Sequence, residues 1–317
     1  MIAGLNPLPA GTRRGLRVAA GIALAASALL VSWSTAGAWS TADGTVTMIS
    51  MQNNSCQWGG GTTSVAVDAA GNMHMTGTFW GECDFDPGPG TATLTSASAS
   101  IAAVYLVKLD SSGNYVWAKR LGNEFSAGSH SVAVDAAGNV VVAGYFQGSI
   151  DFDPPDGVMD LVPTIGDRGG FVAKFDSSGN HLWAHQLGTM RARSVTVDGS
   201  GNVITVGSFT NSHDFDPGPG EANIGDHSAG AMTFVSKLDS AGNYVWAKAL
   251  GGCNCSGRTA AVVVDSSGNV YTAGVFDSVK DFDPGPGTAN LTNSGPGWGT
   301  MDPDSAMFVS KLDSSGN

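Results

Sequence analysis

One acidic heptapeptide recurs along the chain at a nearly fixed interval. DFDPGPG stands at 84–90, 214–220 and 281–287, and a variant, DFDPPDG, at 151–157. The first aspartates, Asp84, Asp151, Asp214 and Asp281, are 67, 63 and 67 residues apart. The same loop in every period means one supersecondary unit repeated, and that restricts the fold more than any other feature.

The segments around the loop repeat too. Each period opens on a short alternating run: Val65–Asp68, Val132–Asp135, Val195–Asp198 and Val262–Asp265. A second apolar run follows, such as 140–146. A third lies beyond the DFDP loop, as at 105–110, and a fourth at 115–119. Period-two alternation, β-branched residues and lengths of four to eight mark all of them as strands. Eight D-x-x-G-N turns, starting at Asp68, Asp110, Asp135, Asp176, Asp198, Asp239, Asp265 and Asp313, join first to second and third to fourth runs. Asp accepts bonds from N–H groups inside such a turn, and Gly supplies the positive φ that closes it.

Each period therefore reads as two hairpins joined by the DFDP loop, a four-stranded antiparallel unit of about 65 residues. One such sheet cannot bury both of its faces. Stacking the units around an axis gives an all-β chain, a β-propeller of about four blades at approximately 61–122, 128–188, 191–251 and 258–317. Sequence ends on a hairpin turn, 313–317, so a fragment of a larger propeller is expected. The competing expectation is that 39–60, with the alternating run 45–52, supplies a closing fourth strand. Glycines recur late in the second strand (Gly77, Gly144, Gly207, Gly274), each followed two residues later by Phe (Phe79, Phe146, Phe209, Phe276). Crowding between blades accounts for both. Trp117, Trp183 and Trp246 recur in the fourth strand and read as sheet-packing residues.

With V-x-V-D-x-x-G-N, D-F-D-P-G-P-G and F-V-x-K-L-D-S-S-G-N-Y-V-W-A-K in place, residues 60–317 resemble the SBBP-type β-propeller repeats of exported bacterial proteins. NHL-type repeats are more distantly similar. The resemblance implies a fold and brings no activity with it. Function has to come from sites.

Residues 1–38 lie outside the repeat. Arg13, Arg14 and Arg17 precede an apolar stretch from Val18 to Val31, and Ala36-Gly37-Ala38 offers a cleavage site. This is a secretory signal peptide, of the general or the twin-arginine kind, with an apolar run short for a membrane span. A secreted, periplasmic or surface location follows. The formal charge is −12, and about −15 once the leader is removed. With no basic stripe, nucleic acid and anionic lipid surfaces are poor partners.

The strand count places all D-x-x-G-N turns on one face and the DFDP loops on the other, with the connections between blades. That second face has the longer, more variable loops and is where a protein or glycan ligand is expected. In an extended segment, residues i and i+2 share a side. Asp84 with Asp86, Asp151 with Asp153, Asp214 with Asp216, and Asp281 with Asp283 are therefore candidate Ca²⁺ ligands beside a loop rich in carbonyls. The competing reading is structural: Phe anchors the loop and Asp bonds its N–H groups. His213, beside Asp214 and Asp216, has the most metal-like setting of the histidines.

Cys56, Cys83, Cys253 and Cys255 form an even set in an exported chain, which favours disulfides. Cys56 and Cys83 fall on the same face of the first blade. Cys253 and Cys255 pair with each other or across a closed ring. The functional expectation is a non-catalytic binding or scaffold propeller. A calcium-stabilised adhesion module and a lyase or hydrolase with a central-channel site are the alternatives.

Overall fold

The computed structural model describes residues 56–57, 62–98, 101–122, 127–152, 160–162, 168–225, 231–253, 259–276, 279–293 and 306–317. The leader, the 45–52 run, Asp153 and Cys255 lie outside the described residues.

Four antiparallel sheets follow one another along the chain. In the first, Thr62–Val67, Met73–Asp84, Ala103–Leu109 and Tyr115–Leu121 lie side by side in sequence order. The second has Ala127–Val134, Val140–Gln147, Arg168–Phe175 and His181–Gln186, and the third Arg191–Val197, Val203–Phe209, Ala231–Leu238 and Tyr244–Cys253. Thr259–Val264, Val270–Phe276 and Ala306–Leu312 make up the fourth among the described residues. Every turn between first and second, and between third and fourth, strands is a D-x-x-G-N turn. At Asp135, for example, Oδ1 accepts from the N–H groups of Ala137 (2.9 Å) and Asn139 (2.9 Å), and Oδ2 accepts from the Asn139 side chain (2.9 Å). Gly138 takes φ of 81°, a conformation that costs glycine nothing and other residues strain.

Short ribbons extend the sheets on the other side, and alternation could not reveal them at two or three residues per strand. His213–Asp214 pairs with Asn223–Ile224, Ile150–Asp151 with Asp160–Leu161, and Val279–Asp281 with Asn290–Thr292. In the first sheet the long second strand itself continues to pair with Thr93–Thr95 and Cys56–Gln57. The loops at 84–90, 214–220 and 281–287 are the tips of such ribbons.

Successive sheets pack face to face, first strand beside first strand. Ser64 Oγ accepts from the Val132 N–H (3.1 Å), Ser131 Oγ from Val195 (3.2 Å) and Ser194 Oγ from Val262 (3.2 Å). The third strands of the first three sheets are buried nearly end to end, which accounts for their apolar-rich runs. Leu106, Val172 and Val235 have no exposed surface, whereas Val309, their equivalent in the fourth sheet, is 76% exposed. Val65 of the first sheet is 54% exposed, against 6% for Val132 in the second. The outward faces of the first and fourth sheets are thus the faces that interior sheets bury.

The recurrent glycines answer a crowding different from the one expected. A Cβ on Gly144 would strike the Gly128 carbonyl and come within 2.8 Å of the Phe171 ring, and one on Gly207 would strike the Arg191 carbonyl and the Phe234 ring. These neighbours belong to the same sheet, so the approach is within a blade-like unit and not between units. The Phe two residues on packs against the DFDP phenylalanine: Phe79 against Phe85 at 5.3 Å and Phe209 against Phe215 at 5.3 Å, both edge to face.

Candidate functional site

The DFDP loop is built from its phenylalanine outward. Phe85, Phe152 and Phe215 are buried, each inside an aromatic cluster from the second and third strands. Burying one such ring is worth about 1.5–3 kcal/mol, enough to pin a short loop. The aspartates then organise the backbone. Asp84 Oδ1 accepts from the N–H groups of Asp86 (3.0 Å) and Ala92 (2.8 Å), and Asp86 Oδ1 accepts from Gly88 (2.7 Å). Asp214 and Asp216 do the same with Asp216, Ala222 and Gly218 at 3.0, 2.8 and 2.8 Å. Asp281 and Asp283 repeat it with Asp283, Ala289 and Gly285 at 3.0, 2.8 and 2.7 Å. The bonds from Ala289 and Asp283 hold the Asp281 carboxyl below its ordinary pKa. Glycines 90, 220 and 287 leave room for the second carboxylate, whose Oδ2 a Cβ there would strike.

The second loop differs. Asp151 is buried in its ribbon, and its carbonyl accepts from the Gly122 N–H at 2.9 Å. Among the described residues, no group of three or more His, Cys, Asp or Glu side chains is placed to hold a metal ion. His213 is buried and edge to face with Phe215 at 5.2 Å. Burial lowers its pKa, with Asp214 opposing.

Cys56 and Cys83 are joined by a disulfide that ties Cys56–Gln57 to the end of the second strand. Cys253 ends the fourth strand of the third sheet, paired in register with Ala231.

The opposite face has a feature the sequence reading missed. A buried lysine on the third strand of each of the first three sheets reaches the first turn aspartate of its own sheet: Lys174 to Asp135 at 3.0 Å, Lys237 to Asp198 at 3.0 Å and Lys108 to Asp68 at 3.8 Å. Lys174 also donates to the Ser240 carbonyl of the next sheet (3.3 Å), and Lys108 to Ser177 (3.2 Å). The recurrent tryptophans join them. Trp117 Nε1 donates to Ser177 (3.2 Å), Trp183 to Ser240 (3.3 Å) and Trp246 to Ser314 (3.1 Å). These rings lie over the positive-φ glycine of the next turn, 2.9 Å from where a Cβ on Gly242 would sit. A Lys–Trp clasp thus closes from the first sheet on the second and from the second on the third, while Trp246 reaches from the third to the fourth. The depression lined by Asp135, Asn139, Lys174, Leu182 and Ser240 is this clasp seen from outside, with its polar groups already engaged. Lysine and tryptophan recurring at the same strand positions was the available signal.

No family model matches the chain. It is similar to an uncharacterized WD repeat-containing protein of Acanthamoeba polyphaga mimivirus, 28% identical over 161 residues. That match spans 46% of this chain and 11% of the viral protein. A solved protein of unknown function from Bacteroides caccae aligns with 81% of the chain and 80% of its own at 12% identity, with a TM-score of 0.30, at which a shared topology does not follow. WD repeats are four-stranded propeller units. With the repeated four-stranded sheets, the WD relative supports a repeat protein of propeller-like build.

Proposed function

We propose that the four sheets are consecutive blades of a β-propeller in an exported or surface protein, and that its DFDP-loop face binds a partner protein. The observation that carries this reading is the unlike use of the two faces. On the D-x-x-G-N side, the turns close on their own aspartates, and tryptophans, joined by lysines at the first two junctions, fasten each sheet to the next. On the other side, ribbons carry rigid tips beyond the sheets. Their carboxylates hold the loop shape, while Pro89, Thr91, Pro219 and Glu221 stay exposed. A preorganised tip loses little entropy when a partner docks. The leader supports export, and the WD-repeat relative supports the propeller.

Photocrosslinking tests the face. A benzophenone amino acid at Thr91 or Glu221 should yield protein adducts in the producing cell's envelope or medium. The same probe at the exposed Ala69 or Ala136 of the turn face should not. Equal adduct yields from both faces would contradict the proposal.

A further inference from the structure

The first strand of every sheet carries one extra residue that the ladder with the second strand skips. The skipped residues are Thr63, His130, Arg193 and Ala260. Such a bulge takes a residue out of the pairing and re-aims its side chain, often beside a functional site. Neighbouring positions repeat from sheet to sheet, including the valines and the serines 64, 131 and 194. The skipped position does not: it is a hydroxyl, an imidazole, a guanidinium and a methyl in turn. A residue needed by the repeated fold would recur, so chemistry other than folding is free to occupy this position. It lies at the DFDP-loop end of the innermost strands, because each first strand runs from that side into a D-x-x-G-N turn.

Between the second and third sheets, the bulges bring cationic and aromatic groups together. The Arg191 guanidinium lies over the Tyr145 ring, 4.7 Å from its centroid. The His130 ring is 5.4 Å from the same ring, inclined at 32°. Gly128 admits the Tyr145 ring, which a Cβ there would strike. Tyr145, His130, Arg191 and Arg193 are all half-buried. His130 Nε2 is buried without a hydrogen-bond partner, a state that costs about 1–3 kcal/mol and that a polar ligand atom would relieve. Burial first, then the charges of Arg193 and Arg191, lowers the His130 pKa to about 4. At neutral pH the imidazole is therefore uncharged, within reach of the charges of two guanidiniums. The chain has a formal charge of −12, yet concentrates two arginines at alternate positions of one strand here.

We propose that His130, Arg191, Arg193 and Tyr145 form a carboxylate-binding site at the junction of the second and third sheets. The arginines supply planar, forked donors that match a carboxylate. His130 turns its Nε2–H toward the bound oxygen, and Tyr145 holds the Arg191 plane. A carboxylate, planar like the guanidinium fork, is the ligand assigned here rather than a tetrahedral phosphate. This site stands independently of the partner proposed for the loop tips.

Calorimetric titration of the full chain at pH 7 and low salt tests it. Hexaglutamate and hexagalacturonate present the same group from a peptide and from a sugar, with hexaglutamine as the uncharged control. Saturable binding of either carboxylate ligand, and none of hexaglutamine, is expected. Arg191→Gln and Arg193→Gln should each weaken it roughly tenfold or more. Arg191→Lys, which keeps the charge and loses the fork, should weaken it less. Arg120→Gln, elsewhere on the same side, should leave affinity within about twofold. Melting curves establish that each variant is folded. The proposal is overturned if the wild-type chain binds neither ligand. It is equally overturned if folded Arg191→Gln and Arg193→Gln bind undiminished, or if inorganic phosphate displaces the ligand more strongly than glutamate does.

Discussion

Lys174→Met should destabilise the protein far more than the same change at Lys311, although the two lysines occupy equivalent positions in the repeat. Lys174 is 2% exposed, 3.0 Å from an Asp135 carboxylate that is itself 7% exposed. It also donates to the Ser240 carbonyl across the sheet interface. Removing one partner of a buried pair strands the other charge, typically at about 3–5 kcal/mol. Asp135 keeps its bonds from Ala137 and Asn139, so the low end, about 3 kcal/mol, is expected. Lys311 is exposed, and its recorded contact is with the Tyr271 ring at 5.3 Å, worth about 0.5 kcal/mol. Urea titration followed by tryptophan fluorescence reads both variants against wild type. The double variant Lys174→Met/Asp135→Asn should recover part of the loss, since no charge is then left buried. Equal midpoints for Lys174→Met and Lys311→Met would refute the claim that the clasp holds the sheets together.

Three further outcomes follow from the same contacts. Gly207→Ala places a Cβ against the Arg191 carbonyl and the Phe234 ring, and a cost of about 3 kcal/mol is expected by thermal melting; a melting temperature equal to wild type contradicts that crowding. Because the Oδ1 atoms of the DFDP aspartates already serve backbone N–H groups, chelator should leave the melting temperature unchanged. A calcium-dependent rise would instead establish the loops as ion sites. Acid should destabilise the fold between about pH 4 and pH 2. Burial raises the Asp68 pKa, but the bonds from Asn72, His74 and Ala70 outweigh it and lower the value from 3.8 to about 2. Burial likewise raises the Asp135 and Asp198 values, and bonds from Asn139 and Lys174, and from Asn202 and Lys237, outweigh it and lower them. Their folded values lie below the unfolded ones, so this stabilisation is complete above about pH 4 and lost on acidification toward pH 2. Asp68→Asn should flatten that part of the pH profile, and an unaltered profile counts against the assignment.

The strands and turns were legible because both rest on local rules. Val132–Asp135 alternates, and Asp135 with Gly138 closes a turn whose chemistry lies within five residues. The order of strands within each sheet followed from the short turns, and with it the two faces. What stayed hidden depends on distance along the chain. Lys174 and Trp183 meet Ser240 66 and 57 residues away, and no window of sequence contains that contact. Trp183 does pack on the sheet, as its recurrence indicated, but its N–H has a partner in the next repeat. Bulges were hidden for another reason: V-x-V-D keeps its alternation on the turn side of the skipped residue, so the run shows no break. The DFDP aspartates were readable as loop chemistry, while which backbone N–H groups each Oδ1 serves depends on geometry that spacing does not encode.

A Lys–Trp clasp fastens the first sheet to the second and the second to the third, and Trp246 ties the third to the fourth. Hydrogen exchange of the indole N–H groups tests this fastening directly, read from ¹⁵N-labelled tryptophan with Trp183→Phe and Trp246→Phe for assignment. We expect the Nε1–H signals of Trp183 and Trp246 to exchange slowly, because the Ser240 and Ser314 carbonyls hold them. We also expect Lys174→Met to speed exchange at Trp183 while sparing Trp246. Exchange of both indoles at the rate of a solvent-exposed tryptophan in the wild-type chain would contradict this fastening.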